Sequence, residues 1–360
     1  MDEVLSPGQQ IKATLEIGEV LELLKTHYGI DTQTVVELDA YDDRNYRVEL
    51  TSVSVADNPY ILDKVPKHGY ILKIINSLDS KDTQFYEAQS ELLVFLEEKG
   101  IVCPIPVKQR DGAYFSTVTL KSGKSHLLRL LIFQPGEILG NLAHVSAALL
   151  SNLGSFAATL NLTLQGFSHP GYANRTSLWI LQAVTRLRRF VSALKSDSER
   201  ELVESIVREF EARVLPVHES LDRGIIHGDL NESNVLVGDS KAEISGVIDF
   251  GDSHVNCYVF ELAVCLCYMI TKANDLGMAR HVIDGYKSVR PLTAGEREIL
   301  KVCVCARFAQ SLTLGAYSHS REPGNLYLVR DADDKWALLR KLWKTRESRI
   351  RSLWGIDGDE

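Results

Sequence analysis

Residues 225–252 carry the pattern that decides the fold, IIHGDLNESNVLVGDSKAEISGVIDFGD. The stretch has the alternation and turn residues of a short strand, a polar loop, a hairpin and a last strand that ends in acids. Asp229 and Asn234 lie in the loop, and Asp249 ends the last strand. Asp and Asn often do no more than form turns with their own backbone. Their spacing, the flanking hairpin and the acid at a strand end together indicate a functional site.

The order His-x-Asp, four residues, Asn, and later Asp-Phe-Gly is that of the catalytic and metal-binding loops of kinases. Phosphoryl transfer needs a carboxylate that orients the acceptor hydroxyl and takes its proton, and oxygen ligands for Mg²⁺ on the phosphates. We therefore predict Asp229 as the catalytic base, with Asn234 and Asp249 as the ligands of one or two Mg²⁺ ions. His227 is expected to hold the loop through hydrogen bonds.

A lysine inside an apolar strand agrees with this chemistry. Lys73 lies in the segment YILKII, residues 70–75, and kinases present such a lysine to the α- and β-phosphates of the nucleotide. Its ionic partner should come from the following helix, where Glu87 and Glu91 lie one turn apart. We favour Glu87 as the residue that points inward. The alternatives are a lysine that extends from an edge strand to water and a solvated glutamate.

The periodicity of the rest of the chain indicates an α+β protein with two lobes. Residues 1–133 are predicted to form an N-lobe that positions the nucleotide phosphates, with an antiparallel five-stranded sheet and one main helix from Ser80 or Asp82 to Lys99. Residues 134–360 are predicted to form a mostly helical C-lobe with the catalytic loop, the metal ligands and the substrate site. The predicted strands are 34–41, 45–53, 70–75, 113–120 and 126–133, and the predicted C-lobe helices are 145–164, 178–194, 198–215, 258–271, 295–317 and 335–354.

The nucleotide contacts are less well marked than the catalytic loop. No glycine-rich loop joins the first two sheet strands, where the chain reads AYDDRN. Phosphate contacts there are expected from backbone amides and from Asn45 or Arg44. The base is expected to bind backbone groups of the hinge between the lobes, at Ile132 and Phe133.

The acceptor is predicted to be a small molecule. Only a few residues separate Asp252 from the apolar helix that starts at Tyr258, so there is no room for an activation segment or a peptide platform. Gly228 stands where protein kinases have the arginine that binds an activation-loop phosphate. Regulation by such a phosphate is therefore not expected.

The strings HGDLNESNVL and VIDFGD resemble the aminoglycoside phosphotransferase and choline kinase superfamily, which has a bilobal protein-kinase-like fold. Within it the chain is most similar to the hydroxylysine kinase branch, through AYDDRNYRV, YILKI, LLRLLIFQPG and two later segments specific to that branch, ISGVIDFGDSHVNCYVFELAVCLCYM and PLTAGEREILKVCVCARFAQSLTLGAYS. The resemblance implies transfer of the γ-phosphate of GTP to the hydroxyl of 5-hydroxy-L-lysine, giving 5-phosphohydroxylysine and GDP. It also supports the roles predicted for Asp229, Asn234, Asp249, Lys73 and Glu87. GTP is named as the phosphoryl donor on this resemblance alone, and ATP is the alternative donor.

A dibasic amino acid needs carboxylates for its amines and a guanidinium or amides for its own carboxylate. Asp252 and Glu261 are candidate partners of the amines. Arg307 and Tyr317, on a C-terminal helix, are candidate partners of the carboxylate. The alternative is that Glu261 and Arg307 pair with each other and brace the core.

Composition limits the function classes. The 360 residues carry a net charge of −8, the wrong sign for a protein that neutralises nucleic-acid phosphates. The longest apolar run, 259–270, is too short to span a bilayer, and the N-terminus does not read as a targeting signal. We expect a cytoplasmic protein without nucleic-acid or membrane partners; the sequence leaves its oligomeric state open. Its six cysteines lie in apolar segments and read as core residues.

Two other functions stay open. A kinase of the same superfamily could act on choline, homoserine or an aminoglycoside. A pseudokinase that serves as a binding module should have lost one of the residues that carry the chemistry. All of these are present: Lys73, Asp229, Asn234 and Asp249.

Overall fold

A computed structural model of the protein describes residues 5–32, 34–49, 54–55, 58–61, 66–329 and 331–357. These residues form two compact units. The first contains the described residues up to Pro135 together with His169–Asn174, and the second contains Gly136–Ser168 and the described residues from Arg175 onward. Residues 169–174 were predicted to belong to the second lobe, but this short segment packs with the first unit: the ring of Tyr172 lies edge-on against that of Phe85, with centroids 5.5 Å apart.

The first unit is built on an antiparallel sheet. All five strands predicted for it are present, four of them in shortened form, and a two-residue strand adds a sixth among the described residues. The strand order is β2-β3-β5-β8-β6, with β7 also paired to β8, and β1 and β4 form a separate antiparallel pair. The strands are β1 (Ile30–Asp31), β2 (Thr34–Leu38), β3 (Arg44–Glu49), β4 (Ser54–Val55), β5 (Tyr70–Ile74), β6 (Pro106–Val107), β7 (Phe115–Thr119) and β8 (Ser125–Ile132). Residues 50–53, the end of the predicted second strand, lie outside the described residues.

Two helices complete this unit. Helix α1 (Ile17–Leu23) continues into a wider turn and stops at Gly29, whose φ of 67° is the left-handed conformation that favours glycine. Helix α2 (Thr83–Glu98) begins at Asp82, whose carboxylate accepts the amide of Phe85 at 3.1 Å. Its buried face is formed by residues spaced three or four apart: Phe85, Ala88, Gln89, Leu92, Leu93 and Leu96.

The second unit is mostly helical. Its two small sheets are antiparallel, with strand orders β12-β11-β9 and β10-β13. The strands are β9 (Glu137–Ile138), β10 (Arg223–Ile226), β11 (Val235–Val237), β12 (Ile244–Val247) and β13 (His254–Cys257). The helices are α3 (Ala147–Leu164), α4 (Asp197–Arg213), α5 (Tyr258–Ala273), α6 (Ala279–Val289), α7 (Ala294–Arg321), α8 (Ala332–Lys344) and α9 (Glu347–Trp354).

Helices α5 and α7 form the centre of this unit, and both are buried over most of their length. The six cysteines are buried and unpaired, as predicted for core residues. Helix α6, which the sequence analysis did not predict, packs so tightly on α3 that Gly154 and Gly285 bring the two backbones into contact. A Cβ at Gly285 would lie 1.8 Å from the carbonyl oxygen of Ser151, and one at Gly154 would lie 1.9 Å from that of Val282.

Two helix predictions need correction, because tertiary hydrogen bonds take carbonyls that a continuous helix would use. The predicted helix 178–194 is a series of 3₁₀ turns, mainly Leu181–Arg189. At its start, Gln310 binds the carbonyls of residues 178 and 180, and Arg307 binds that of residue 179. The predicted helix 335–354 is interrupted between α8 and α9, where Lys301 binds the carbonyl of Thr345 at 2.6 Å.

Candidate active site

The hairpin β11–β12 brings the two predicted metal ligands together. Val235 pairs with Val247 in the antiparallel register, and the amide of Ile248 donates to the carbonyl of Asn234 at 2.8 Å. Asp249 follows directly with φ 62° and ψ 77°, a conformation that few residues other than glycine adopt. Its carboxylate accepts the amide of Gly251 at 3.3 Å. The strand register therefore places Asp249 beside the end of the catalytic loop.

Asp229 is held on both carboxylate oxygens. Its Oδ2 accepts Nδ2 of Asn231 at 2.7 Å and Nδ2 of Asn234 at 2.9 Å. Its Oδ1 accepts Nη2 of Arg307 at 2.6 Å. The side chain is 20% exposed, so an acceptor hydroxyl can reach a carboxylate whose orientation is already set.

His227 holds the loop from inside, as predicted. Its Nε2 bonds to the carbonyl of Ile248 at 3.0 Å, and its Nδ1 accepts the amide of Asp229 at 3.2 Å. Burial lowers the pKa of His227, and these two bonds need the neutral ring with its proton on Nε2. The ring also packs on Phe250, with centroids 4.6 Å apart, so one side chain joins the catalytic and metal-binding loops.

Glu261 anchors the same loop and does not bind substrate, so the prediction of an amine partner is wrong. Its side chain is fully buried and accepts the amide of His227 at 2.5 Å and that of Gly228 at 3.3 Å. Burial raises the pKa of Glu261 to about 7. Gly228 has φ 80°, and a Cβ there would lie 2.4 Å from the carbonyl oxygen of Asp252. The tight backbone therefore needs both the glycine and the buried acid.

Arg307 binds the catalytic loop instead of a substrate carboxylate, which corrects a second prediction. It is 1% exposed, and its Nη1 donates to the carbonyl of Trp179 at 3.1 Å while Nη2 holds Asp229. The guanidinium also lies 4.9 Å from the ring centroid of Trp179 and 5.3 Å from that of Tyr268. The alternative of a direct Glu261–Arg307 pair is not observed either, because each residue braces the loop separately.

The other two predicted substrate contacts lie in different places. Tyr317 follows Arg307 by ten residues in α7, or about 15 Å of helical rise, and its ring packs edge-on against Phe190 at 4.9 Å. The structure therefore does not bring Arg307 and Tyr317 together. Asp252 ends the short turn after Asp249, is partly exposed and stays a predicted amine partner.

In the first unit, polar side chains form a row across the sheet. Asn45 on β3 pairs with Lys73 on β5, which pairs with Arg129 on β8, so all three lie on one face. Lys73 is 8% exposed. Among the described residues, Oδ1 of Asn45 is a buried atom without a hydrogen-bond partner. Arg129 was not predicted, although it too is a single cation in an apolar strand, because the kinase pattern calls for one lysine on this sheet and for no arginine. A row of this kind suits phosphate oxygens.

The prediction that Glu87 points inward toward Lys73 is wrong. Glu87 is exposed, because the buried face of α2 follows Phe85, Ala88 and Leu92, and residue 87 lies on the opposite side. Gln89 and Ser90 lie inward instead and both accept hydrogen bonds from Arg129, the second at 3.5 Å.

The backbone amides of Ile132 and Phe133, the residues predicted to contact the base, already donate hydrogen bonds within the first unit. The amide of Ile132 donates to the carbonyl of Ile105 at 2.8 Å, and that of Phe133 donates to Gly69 at 3.0 Å. The guanidinium of Arg47 lies over the ring of Phe133, 3.2 Å from its centroid. If a base binds at Ile132 and Phe133, it must use their carbonyl oxygens.

The oxygen atoms near the catalytic loop fit a magnesium ion. Nδ2 of Asn234 donates to both the carbonyl and the carboxylate of Asp229, which leaves its Oδ1 for a cation. Asp249 supplies a carboxylate beside it. Amide and carboxylate oxygens are the ligands that Mg²⁺ prefers, so these two residues would hold the metal.

A restrained carboxylate, an Asn–Asp pair that fits a metal ion and a sheet with a buried lysine are typical of a phosphotransferase with a kinase-like fold. The chain belongs to the phosphotransferase enzyme family APH, whose model matches residues 36–299. It is 32% identical over 348 residues to the hydroxylysine kinase of Mus musculus, covering 92% of this chain and 90% of that protein. It is 28% identical to a homoserine kinase of Gluconacetobacter diazotrophicus, covering 74% and 79% of the two chains.

A solved structure supports the fold. The microcompartment-associated aminopropanol kinase superposes with a TM-score of 0.69 at 22% identity, covering 93% of this chain and 100% of that one. The family and the curated relatives show that the chain is a small-molecule phosphotransferase that acts on a hydroxyl group.

Proposed function

We propose that this enzyme transfers the γ-phosphate of GTP to the side-chain hydroxyl of 5-hydroxy-L-lysine. The observation that supports phosphoryl transfer is the fixed orientation of the Asp229 carboxylate. Arg307 holds one of its oxygens, and two asparagine amides hold the other. The acceptor and the donor rest on the similarity to hydroxylysine kinases along nearly the whole chain. Mg²⁺ is the cofactor that we expect the reaction to need.

In this mechanism Asp229 orients the acceptor hydroxyl and accepts its proton as the oxygen attacks the γ-phosphorus. Arg307 and Asn234 keep the carboxylate aligned throughout the step. Mg²⁺, held by Asn234 and Asp249, would neutralise negative charge on the phosphates. Because the carboxylate is oriented before substrate binds, little reorganisation is needed when the reaction starts.

We assign the nucleotide phosphates to the row on the sheet of the first unit. Lys73 supplies the positive charge for the phosphates, and Asn45 beside it is the second proposed phosphate contact. Arg129, which two side chains of α2 hold, adds to the positive potential of this face. The buried position of Lys73 strengthens its attraction for phosphate oxygens, since burial reduces screening by water. Ile132 and Phe133 are proposed to contact the base through their carbonyl groups.

A substrate panel tests the proposal. The acceptors are 5-hydroxy-L-lysine, homoserine, choline and an aminoglycoside, each with ATP and with GTP, and release of nucleoside diphosphate is measured with Mg²⁺ and with excess chelator. We expect the highest kcat/KM for hydroxylysine with GTP, and no turnover without the metal. Turnover of choline or homoserine in the absence of any hydroxylysine turnover would refute the proposed acceptor.

Homoserine is the second candidate, because a homoserine kinase is similar over about three quarters of the chain. Choline and aminoglycosides are candidate acceptors only through the resemblance to the superfamily. A pseudokinase is disfavoured because Lys73, Asp229, Asn234 and Asp249 are all present. Measurable phosphotransfer to any member of the panel would exclude that function.

We expect the enzyme to act in the cytoplasm on small molecules, without nucleic-acid or membrane partners. Helices α3 and α7 are long and apolar enough by composition alone to cross a membrane. Most of α7 is buried within its unit, however, and it carries the charged residues Glu296 and Arg307 inside that core. A buried helix of this kind is typical of the interior of a globular unit.

A further inference from the structure

Glu232 lies in the catalytic loop, three residues after Asp229, and the reaction described above does not use it. The backbone of Gly140 fixes its position, since the amide of Gly140 donates to the carbonyl of Glu232 at 2.7 Å. A Cβ at Gly140 would lie 3.3 Å from Cγ of Glu232, so the glycine leaves room for this side chain. Within the described part of the chain, Oε2 of Glu232 is buried and has no hydrogen-bond partner. A buried carboxylate oxygen without a donor is costly.

No cation forms a direct ion pair with Glu232 among the described residues. The charged side chains that act on it are the acids Asp229 and Asp331 and the cation Lys335. The ammonium of Lys335 lies 5.6 Å from the ring centroid of Tyr268, and none of the ion pairs between described residues joins it to Glu232. Arg307 is already bound to Asp229. The loop therefore holds a second carboxylate near the proposed base, and one of its oxygens has no hydrogen-bond donor or directly paired cation among the described residues.

The proposed substrate supplies such a cation at the right position. In 5-hydroxylysine the ε-ammonium is on the carbon next to the one that bears the reacting hydroxyl. When the hydroxyl binds Asp229, the ammonium must lie beside it, within reach of a neighbouring group on the same loop. In homoserine the amine is one carbon further from the hydroxyl, so it would meet a different part of the site.

We propose that Glu232 binds the ammonium adjacent to the acceptor hydroxyl and makes the enzyme selective for vicinal amino alcohols. This inference rests on the proposed function, because it assigns one substrate contact of the same site. The ammonium donates to the buried Oε2, which otherwise has no partner, and it neutralises the charge that Asp229 and Glu232 place close together. Glu232 then determines which acceptors bind, while Asp229 carries the chemistry.

The test compares two acceptors that differ only in this ammonium: 5-hydroxylysine and 2-amino-5-hydroxyhexanoate, in which a hydrogen replaces the ε-amine. The variants are Glu232→Gln, Glu232→Asp as the conservative change, and Glu201→Gln on the exposed face of α4 as the matched control. For hydroxylysine, E232Q should lower kcat/KM about 10- to 100-fold, mainly through KM, since a charge-assisted hydrogen bond is lost. For the analogue without the amine, kcat/KM should change less than threefold, and E232D should recover part of the loss.

Other results would overturn the inference. An equal loss with both acceptors would mean that Glu232 only supports the fold of the loop, and an unchanged KM for hydroxylysine would mean that it does not contact the ammonium. In E232Q the nucleotide KM should match that of the wild type, and the urea midpoint should be no lower, because the substitution removes a buried charge. Failure of the proposed function looks different, because the wild type itself would then not turn over hydroxylysine. If it used 1-amino-2-propanol instead, the same comparison with E232Q on that acceptor would still test Glu232.

Discussion

Replacing Arg307 with methionine removes the donor that aligns the carboxylate of Asp229, the proposed base. Arg307 is 1% exposed, and its Nη2 lies 2.6 Å from Oδ1 of Asp229, which is itself 20% exposed. Methionine replaces the apolar stem of the arginine up to about the position of Nε, but it has no guanidinium and donates no hydrogen bond. Asp229 then keeps only the two asparagine donors on its other oxygen.

The size of the effect follows from this geometry. Breaking a fully buried ion pair costs about 3–5 kcal/mol, but water can reach Asp229, so we expect a loss of about 2–3 kcal/mol in the free energy of unfolding. A misoriented base should lower kcat by about 100-fold. Arg307→Lys keeps the charge but cannot reach Asp229 and the carbonyl of Trp179 together, so its effects should lie between those of the wild type and methionine.

A double-mutant cycle with Asp229→Asn measures the pair itself. Urea unfolding of the wild type, the two single variants and the double variant should give a coupling energy of about 1.5–3 kcal/mol, the range of a charge-assisted hydrogen bond. Steady-state kinetics of R307M should show the fall in kcat with an unchanged nucleotide KM. A coupling energy below about 0.5 kcal/mol, or R307M turnover within threefold of the wild type, would refute the role of Arg307 as the residue that positions the base.

Three further results are expected. Asp229→Asn should lower turnover by about 10² to 10⁴ with nucleotide affinity retained, measured by diphosphate release and nucleotide titration; unchanged turnover would show that Asp229 is not the base. Glu261, whose pKa is raised from 4.5 to about 7, holds its proton longer in the folded than in the unfolded state. The free energy of unfolding should therefore fall by about 3 kcal/mol between pH 4.5 and 7 from this group, and urea titrations should show that Glu261→Gln removes this fall; an identical slope in both proteins would contradict it. Gly285→Ala should lower the free energy of unfolding by about 1–3 kcal/mol or more, because its Cβ meets the carbonyl of Ser151, whereas the same change at the exposed Gly18, which has open space around it, should not destabilise the protein.

Much of the fold follows from local patterns. The five predicted strands of the first sheet and the cap of α2 at Asp82 were found from alternation and capping residues, which act over a few positions. The predictions failed where distant groups compete for the backbone. Side chains of α7 take the carbonyls at 178–180 and at Thr345, and no periodicity within those segments could reveal this.

The sequence by itself indicated the residues proposed as base and metal ligands, because Asp229, Asn234 and Asp249 lie next to the strands of one hairpin, where spacing sets geometry. Only the tertiary structure decided what the isolated charged residues do. Arg307 and Glu261 hold the loop, and Glu87 faces solvent, although each fitted a substrate or nucleotide role in the sequence. The physical reason is that the partner of a buried charge is set by which elements pack together, and residues 78 positions apart, such as Asp229 and Arg307, carry no trace of that contact in their local sequence.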